Sequence, residues 1–268
     1  MKNLKYTLKA WVEGQRALGR SHFSKAEAEK AYAGGAALAK ALDRLLTSKI
    51  IAKPKAGFYI ILDPPYRAAG SLPPEWFVDP LMKHLGLPYY VGGLSAAAHY
   101  GATHQALQEL QVVVPGDRKG LRPIRCGRAR IRFFLKSPFE HAVTQQAKSQ
   151  AGYYKIASPE TAAWDLVYFH VTLGGLNQAA LFLKDMALSL DPGRLKVIAG
   201  SHNDSRTSRR LGWLLEKCGF PKLAAVLKAK NFLRESRCLA EQGTSGLGSQ
   251  PYNETWNIIE NASLDLKP

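Results

Sequence analysis

An apolar helical stripe that runs directly into a β-hairpin restricts what the first sixty-six residues can fold into. Leu38, Ala41, Leu42, Leu45 and Leu46 fall at i, i+3, i+4, i+7 and i+8, which is one face of a helix, and the spacing predicts a helix over 36–48. Its opposite face carries Lys40 and Arg44, one turn apart, with Thr47 beside them. Immediately after it, Ile50-Ile51-Ala52 and Phe58-Tyr59-Ile60-Ile61-Leu62 flank Lys53-Pro54-Lys55-Ala56-Gly57. Two β-rich runs about a Pro/Gly turn make a hairpin. Two more helices precede the stripe. Leu4, Leu8, Trp11 and Val12 share a face that ends before Gly19. Ser24 followed by Glu27 fits a capping box opening a short helix through about Tyr32, after which Gly34-Gly35 breaks the chain.

Three helices and a hairpin with a basic tip is the order of a winged helix-turn-helix, in which the third helix lies in the major groove of duplex DNA. Lys53 and Lys55 would then meet backbone phosphates, which position a protein without reading sequence. Through Tyr66, twelve Lys or Arg stand against five acids, a balance of +7. Taken alone, Lys40 and Arg44 are what any solvated amphipathic helix carries. The helix order and the basic hairpin make them, with Thr47, candidates for DNA contact. The fold also serves protein-interaction modules, so it does not itself name a function.

The whole chain supports a polyanionic partner. It has 37 Lys or Arg against 21 Asp or Glu, a formal net charge of +16 and a pI near 9.8, and each phosphate neutralised releases condensed counterions. At 46% hydrophobic and 22% charged residues the chain is expected to fold, as two domains of ordinary size. No run approaches the roughly 18 apolar residues of a membrane span. The opening segment is interrupted by Lys2, Lys5 and Lys9, without a signal-peptide core. A cytoplasmic protein with no membrane partner is the expectation. Cys126, Cys218 and Cys238 are scattered and form no CxxC pair, so they read as neutral thiols rather than a disulfide framework or zinc ribbon.

Asp63-Pro64-Pro65 and Gly70-Ser71-Leu72-Pro73-Pro74 place a domain boundary near residue 67, dividing the chain into 1–66 and 67–268. The fold class expected is α+β, with the larger domain mixed and mostly helical toward its C-terminus. A helix over 76–85 and a small-residue helix over 94–100 lead to strands at 110–114 and 131–135. The densest basic stretch lies between and within those strands: Arg118, Lys119, Arg122, Arg125, Arg128, Arg130, Arg132 and Lys136, with no acid after Asp117. At period two, Arg128, Arg130 and Arg132 share one strand face while Ala129, Ile131 and Phe133 turn inward. That face reads either as a second anion-binding surface or as a solvated sheet. Ser158-Pro159-Glu160, Asp191-Pro192 and Ser205 mark helix starts, and Gly219 a stop. Over 194–237, eleven basic residues meet three acids, and 243–250 reads as a flexible loop before a short segment around Trp256.

Enzyme readings find little footing. Gly93-Leu94-Ser95 is faintly like the glycine-serine turn of nucleotidyltransferases, but that chemistry needs paired carboxylates close behind, and only Glu109 appears before Asp117. A nuclease would need clustered acids with a lysine. Glu160 and Asp165 are five apart on one helix, and helix capping explains Glu160 better. His99 and His104 lack further ligands for a metal set, and no GxxxxGK[ST] loop occurs. An RNA-binding reading rests on charge alone. Neither a catalytic residue, a metal nor a cofactor is expected.

The chain resembles the AbiEi family of antitoxins from type IV toxin–antitoxin and abortive-infection systems. The resemblance spans nearly the whole sequence. It rests on Gly57-Phe58-Tyr59-Ile60-Ile61, on Tyr89-Tyr90-Val91-Gly92-Gly93-Leu94-Ser95-Ala96-Ala97 with Tyr100-Gly101, on Ile156-Ala157-Ser158-Pro159-Glu160-Thr161-Ala162-Ala163-Trp164-Asp165-Leu166, and on Arg209-Arg210-Leu211-Gly212-Trp213-Leu214-Leu215-Glu216. It implies a repressor that binds inverted repeats of double-stranded DNA in its own promoter; self-association on that DNA is a separate expectation, and the oligomeric state stays open. It also implies an antitoxin domain over 67–268 that counteracts a nucleotidyltransferase-like toxin without a catalytic site. Recognition-helix residues do not carry over by position, because the family's N-terminal parts vary.

Overall fold

Apolar residues at every position from Phe58 to Leu62 leave that strand no polar face, and both of its sides are buried. The computed structural model describes residues 7–32, 35–102, 107–118, 120–228, 238–240 and 250–266. In this mixed α+β fold, Tyr59 and Ile61 point into a smaller apolar core, while Phe58, Ile60 and Leu62 point into a larger one. The period-two alternation of a strand thus ties two cores together through consecutive residues.

The smaller core is enclosed by α1 (Leu8–Ala17), β1 (His22–Ser24), α2 (Lys25–Ala31), α3 (Ala36–Thr47), β2 (Ile51–Lys55) and β3 (Phe58–Ile61), the strands forming an antiparallel sheet of order β1-β3-β2. Leu8 and Val12 of α1 and Leu38, Leu42 and Leu45 of α3 are its buried helical residues, together with Ala28. The Thr7 side chain caps α1, and Leu4 lies outside the described residues. The capping box of α2 is complete: Glu27 N–H donates to Ser24 Oγ at 3.2 Å, and Ser24 N–H to Glu27 Oε2 at 2.7 Å. The hairpin differs from expectation at its tip. Lys53, Pro54 and Lys55 belong to β2, and the turn is Ala56-Gly57 alone. Pro54 is tolerated because β2 is an edge strand of this sheet and its register shifts between Ala52 and Lys55.

Two 3-10 turns, Pro64–Tyr66 and Pro74–Trp76, lead into α4 (Val78–His84), β4 (Tyr90–Val91) and α5 (Gly93–His99), so the helix expected over 76–85 starts two residues later. A six-stranded mixed sheet follows, built with β5 (Leu110–Pro115), β6 (Ile124–Cys126), β7 (Ala129–Lys136), β8 (Thr144–Ser149) and β9 (Gly152–Ala157) in the order β6-β7-β5-β4-β9-β8. Against it pack α6 (Pro159–Tyr168), α7 (Gly175–Met186), α8 (Pro192–His202), α9 (Ser205–Lys217) and α10 (Pro221–Ala225). The capping signals place these helices well: Ser158, Asp191 and Asp204 side chains accept the first free N–H groups of α6, α8 and α9. Glu160 does not cap its own helix. Its Oε1 instead accepts the Asp191 N–H at 3.0 Å, at the start of α8. A small sheet of β10 (Cys238–Leu239), β11 (Tyr252–Asn253) and β12 (Ile258–Ile259) closes the chain. Beside it Trp256 is fully buried, and a Cβ on Gly212 would lie 2.1 Å from its ring. The loop expected at 243–250 lies almost wholly outside the described residues.

Helix α6 is buried from Pro159 through Val167, so Asp165 sits within apolar packing and needs a partner there. Lys136, the last residue of β7, supplies it. The ammonium lies 2.6 Å from Asp165 Oδ1, and both side chains have no solvent exposure. Tyr90 Oη donates to the same oxygen at 3.4 Å. Burial pushes the Asp165 carboxyl upward in spite of the Lys136 ammonium.

Two outcomes follow for stability. Lys136→Met strands a carboxylate in the core and is expected to cost about 3–5 kcal/mol in urea denaturation, with the double variant Lys136→Met/Asp165→Leu recovering most of that cost. A double variant no more stable than the single one would refute this. Near the surface, burial works to raise the Glu27 carboxyl, but hydrogen bonds from Arg20 and Ser24 outweigh it and hold it down, from 4.5 to about 2. A carboxylate held low in the folded state stabilises above its unfolded value and ceases to as pH falls through its folded one. The stability difference between wild type and Glu27→Gln should therefore be constant above about pH 5 and shrink toward pH 2; a difference independent of pH would count against it.

Candidate nucleic-acid interface

Helix α3 commits Leu38, Leu42 and Leu45 to the smaller core and leaves Lys40, Arg44 and Thr47 exposed. The two cations are one turn apart and have no carboxylate within ion-pair distance among the described residues. Thr47 Oγ1 donates to the Asp43 carbonyl at 2.9 Å, so its hydroxyl remains available outward as an acceptor. Asp43 is exposed on the same side of the helix and makes this face less uniformly basic than the pattern of Lys40 and Arg44 suggested.

Lys53 and Lys55 are exposed on β2, with Pro54 turned inward between them. The hairpin they belong to is held at its tip. His84 Nε2 lies 3.0 Å from the Ala56 carbonyl, and Lys25 N–H donates to the Gly57 carbonyl at 2.8 Å. The Lys53 main chain hydrogen-bonds to the Cys126 sulfur of β6, whose thiol is pushed up to about 11 by burial. These two lysines therefore stand on a strand braced between the two sheets, not on a free flap.

Of the three arginines expected on one strand face, only Arg130 and Arg132 lie on the strand. Arg128 precedes β7, in the two-residue turn Gly127-Arg128 that joins it to β6. Arg130 is exposed on β7. Arg132 is half-buried, 3.4 Å from Glu109 Oε1, with its guanidinium 5.1 Å from the centre of the Phe134 ring. Glu109 ends the segment that leads into β5, a parallel neighbour of β7, so a carboxylate distant in sequence neutralises this arginine. Beyond Arg132 the buried side of the strand changes over, with Phe134 and Lys136 buried and Leu135 exposed. Helix α6 covers the second half of that face. Lys136, part of the basic stretch in the sequence, is accordingly out of reach of any external anion. Lys119 and His104 lie outside the described residues, and His99 is exposed against Tyr100.

The placement of Arg125 escaped the sequence reading. It pairs directly with Arg130 across the β6–β7 ladder, and both are exposed. The signal was the apolar-arginine alternation of Ile124-Arg125-Cys126 and Ala129-Arg130-Ile131 about Gly127, which is a hairpin pattern. Like charges directly opposite on a sheet repel, and among the described residues no carboxylate pairs with Arg125, Arg128 or Arg130. Arg128 and Arg130 also line a cavity of about 450 Å³, with Glu75, Ser95, His99 and Tyr154. The Gly93-Leu94-Ser95 turn has a structural use: Gln111 accepts the Leu94 N–H at 2.7 Å, and Gln111 N–H donates to Ser95 Oγ at 2.9 Å. Among the described residues no three His, Cys, Asp or Glu side chains gather as metal ligands would. No helix of these residues is long and apolar enough to cross a membrane.

Residues 90–217 match the model of the AbiEi antitoxin C-terminal domain, which supports kinship of that segment with the AbiEi antitoxins. Over 96% of this chain and 92% of the other, the fold is similar to that of the RV2827C protein from Mycobacterium tuberculosis, with a TM-score of 0.67 and 13% identity. An antigenic nucleotidyltransferase-like protein from Paracoccidioides brasiliensis aligns over 57% of this chain and 89% of its own, at 10% identity and a TM-score of 0.35, too low to speak for a shared fold. No curated protein matches the chain.

The turn that presents Arg128 depends on Gly127. Its φ is +52°, and a Cβ there would lie 2.3 Å from the Ala69 carbonyl oxygen. Gly127→Ala combines a strained backbone with overpacking and should cost about 2 kcal/mol or more in urea denaturation. A cost below about 0.5 kcal/mol, the level of an ordinary surface change, would show that the turn yields freely.

Proposed function

We propose that this chain is an AbiEi-type antitoxin and transcriptional repressor, which binds inverted repeats upstream of its own coding region and acts without catalysis against a nucleotidyltransferase-like toxin. Residues 1–66 are its winged helix-turn-helix domain and 67–268 its antitoxin domain. One observation carries the DNA half of this reading. The element order α1-β1-α2-α3-β2-β3, with its three-stranded sheet, leaves the whole outer face of α3 free of packing. A helix so presented fits the major groove, with Lys40, Arg44 and Thr47 at the base edges and Lys53 and Lys55 on flanking phosphates. The match of residues 90–217 to an antitoxin domain supports the other half.

Arg128 and Arg130, being without carboxylate partners, add phosphate contacts from the second sheet. Arg132 adds little, because Glu109 already holds it.

Mobility shifts on the DNA upstream of the coding region, run over a salt series, test this. Lys40→Ala with Arg44→Ala should weaken binding by about 1–3 kcal/mol for each base edge that is no longer read, and should relax sequence preference. Arg128→Gln with Arg130→Gln should weaken operator and random DNA alike and flatten the salt dependence by about 0.9 in log–log slope per arginine. Unchanged affinity and preference in the α3 variant would show that this helix is not the reader.

A further inference from the structure

Four arginines crowd the β6–β7 hairpin, and the fold neutralises only one of them. Arg132 has Glu109 at 3.4 Å. Arg125 and Arg130 face each other across the ladder, and Arg128 stands at the turn, none with a carboxylate among the described residues. Such an arrangement is unfavourable by itself and becomes favourable when an anion enters. Arg128 and Arg130 open into the cavity of about 450 Å³, within the range of small-ligand sites.

The rest of the cavity wall is of a different character. Leu107 and Tyr154 give it an apolar side, and Glu75 gives a hydrogen-bond acceptor, while Glu109, which also lines it, is held by Arg132. His99 adds a ring nitrogen. A simple anion would use the arginines and leave the apolar wall and Glu75 idle. A ligand with phosphates at one end and a flat, amino- or hydroxyl-bearing body at the other uses all of them. We propose that this cavity is a binding site for a nucleoside phosphate, its phosphates held by Arg128 and Arg130 and its nucleoside lying against Leu107 and Tyr154 toward Glu75. The site draws on two arginines that also serve the DNA backbone under the proposed function, so ligand and backbone compete for them. It does not depend on α3 reading DNA.

Titration calorimetry of the full chain, without DNA or magnesium, tests the site with ATP, adenosine and tripolyphosphate as probes. ATP should bind saturably at one site, with adenosine and tripolyphosphate each at least about tenfold weaker, since each can engage only half of the cavity wall. Arg128→Gln with Arg130→Gln, both exposed and so free of a folding role, should weaken ATP by about tenfold or more. Glu75→Gln should weaken ATP and leave tripolyphosphate unchanged. Lys40→Ala with Arg44→Ala should bind ATP as wild type does, which separates this site from the DNA reading. No saturable binding of ATP at millimolar concentration, equal affinity for ATP and tripolyphosphate, or full ATP affinity in the double-arginine variant would each overturn the proposal.

Discussion

The buried ion pair between Lys136 and Asp165 is the interaction around which the larger core is arranged. Removing two charges from water costs several kcal/mol for each, and only close geometry with further hydrogen bonds offsets it. That requirement reaches into four elements at once. Strand β7 must end at Lys136 in the register that brings the ammonium to 2.6 Å. Helix α6 must lie with Asp165 facing the sheet, and β4 must bring the Tyr90 hydroxyl to the same oxygen. Gly92 must be free of a side chain, because a Cβ there would stand 2.6 Å from the Val113 side chain of β5 and 3.0 Å from the other carboxylate oxygen. From α8, His202 completes the surroundings, and burial followed by the Lys136 charge lowers it to about 4, so it stays neutral at ordinary pH. An apolar pair of similar volume would satisfy the packing without fixing any of these relations.

Much of this was legible in the sequence wherever the controlling interaction is local. The Ser24–Glu27 box, the Ser158-Pro159 and Asp191-Pro192 starts and the apolar stripe of α3 all involve residues within a turn or two of each other, and each is found where its spacing put it. The edge strand β8 was silent because Thr144-Gln145-Gln146-Ala147-Lys148-Ser149 buries only Ala147 and shows no alternation. The arginine stripe was legible only in part, for a different reason. Period two correctly put Arg130 and Arg132 on one face, but the partner of Arg132 lies 23 residues away, beside the neighbouring strand, and no local pattern announces it. Lys136 is the clearest instance. As the last member of a basic run it read as surface charge, and its burial follows from α6 crossing that end of the sheet, a tertiary fact. Asp165 likewise carries no mark of its role on a helix that is buried nearly all round.

The two-sided burial of Phe58–Leu62 has a thermodynamic consequence. Cores that meet only at an interface can melt one after the other, each with its own midpoint. Here alternate residues of a single strand belong to different cores. Pulling that strand out exposes Tyr59 and Ile61 on one side and Phe58, Ile60 and Leu62 on the other in the same event. Neither core can open along this wall while the other stays dry. The N-terminal helices and the six-stranded sheet therefore form one cooperative unit across β3, whose amides should exchange with solvent only at the free energy of global unfolding, while the outer turns of α1 and α2 exchange through smaller openings.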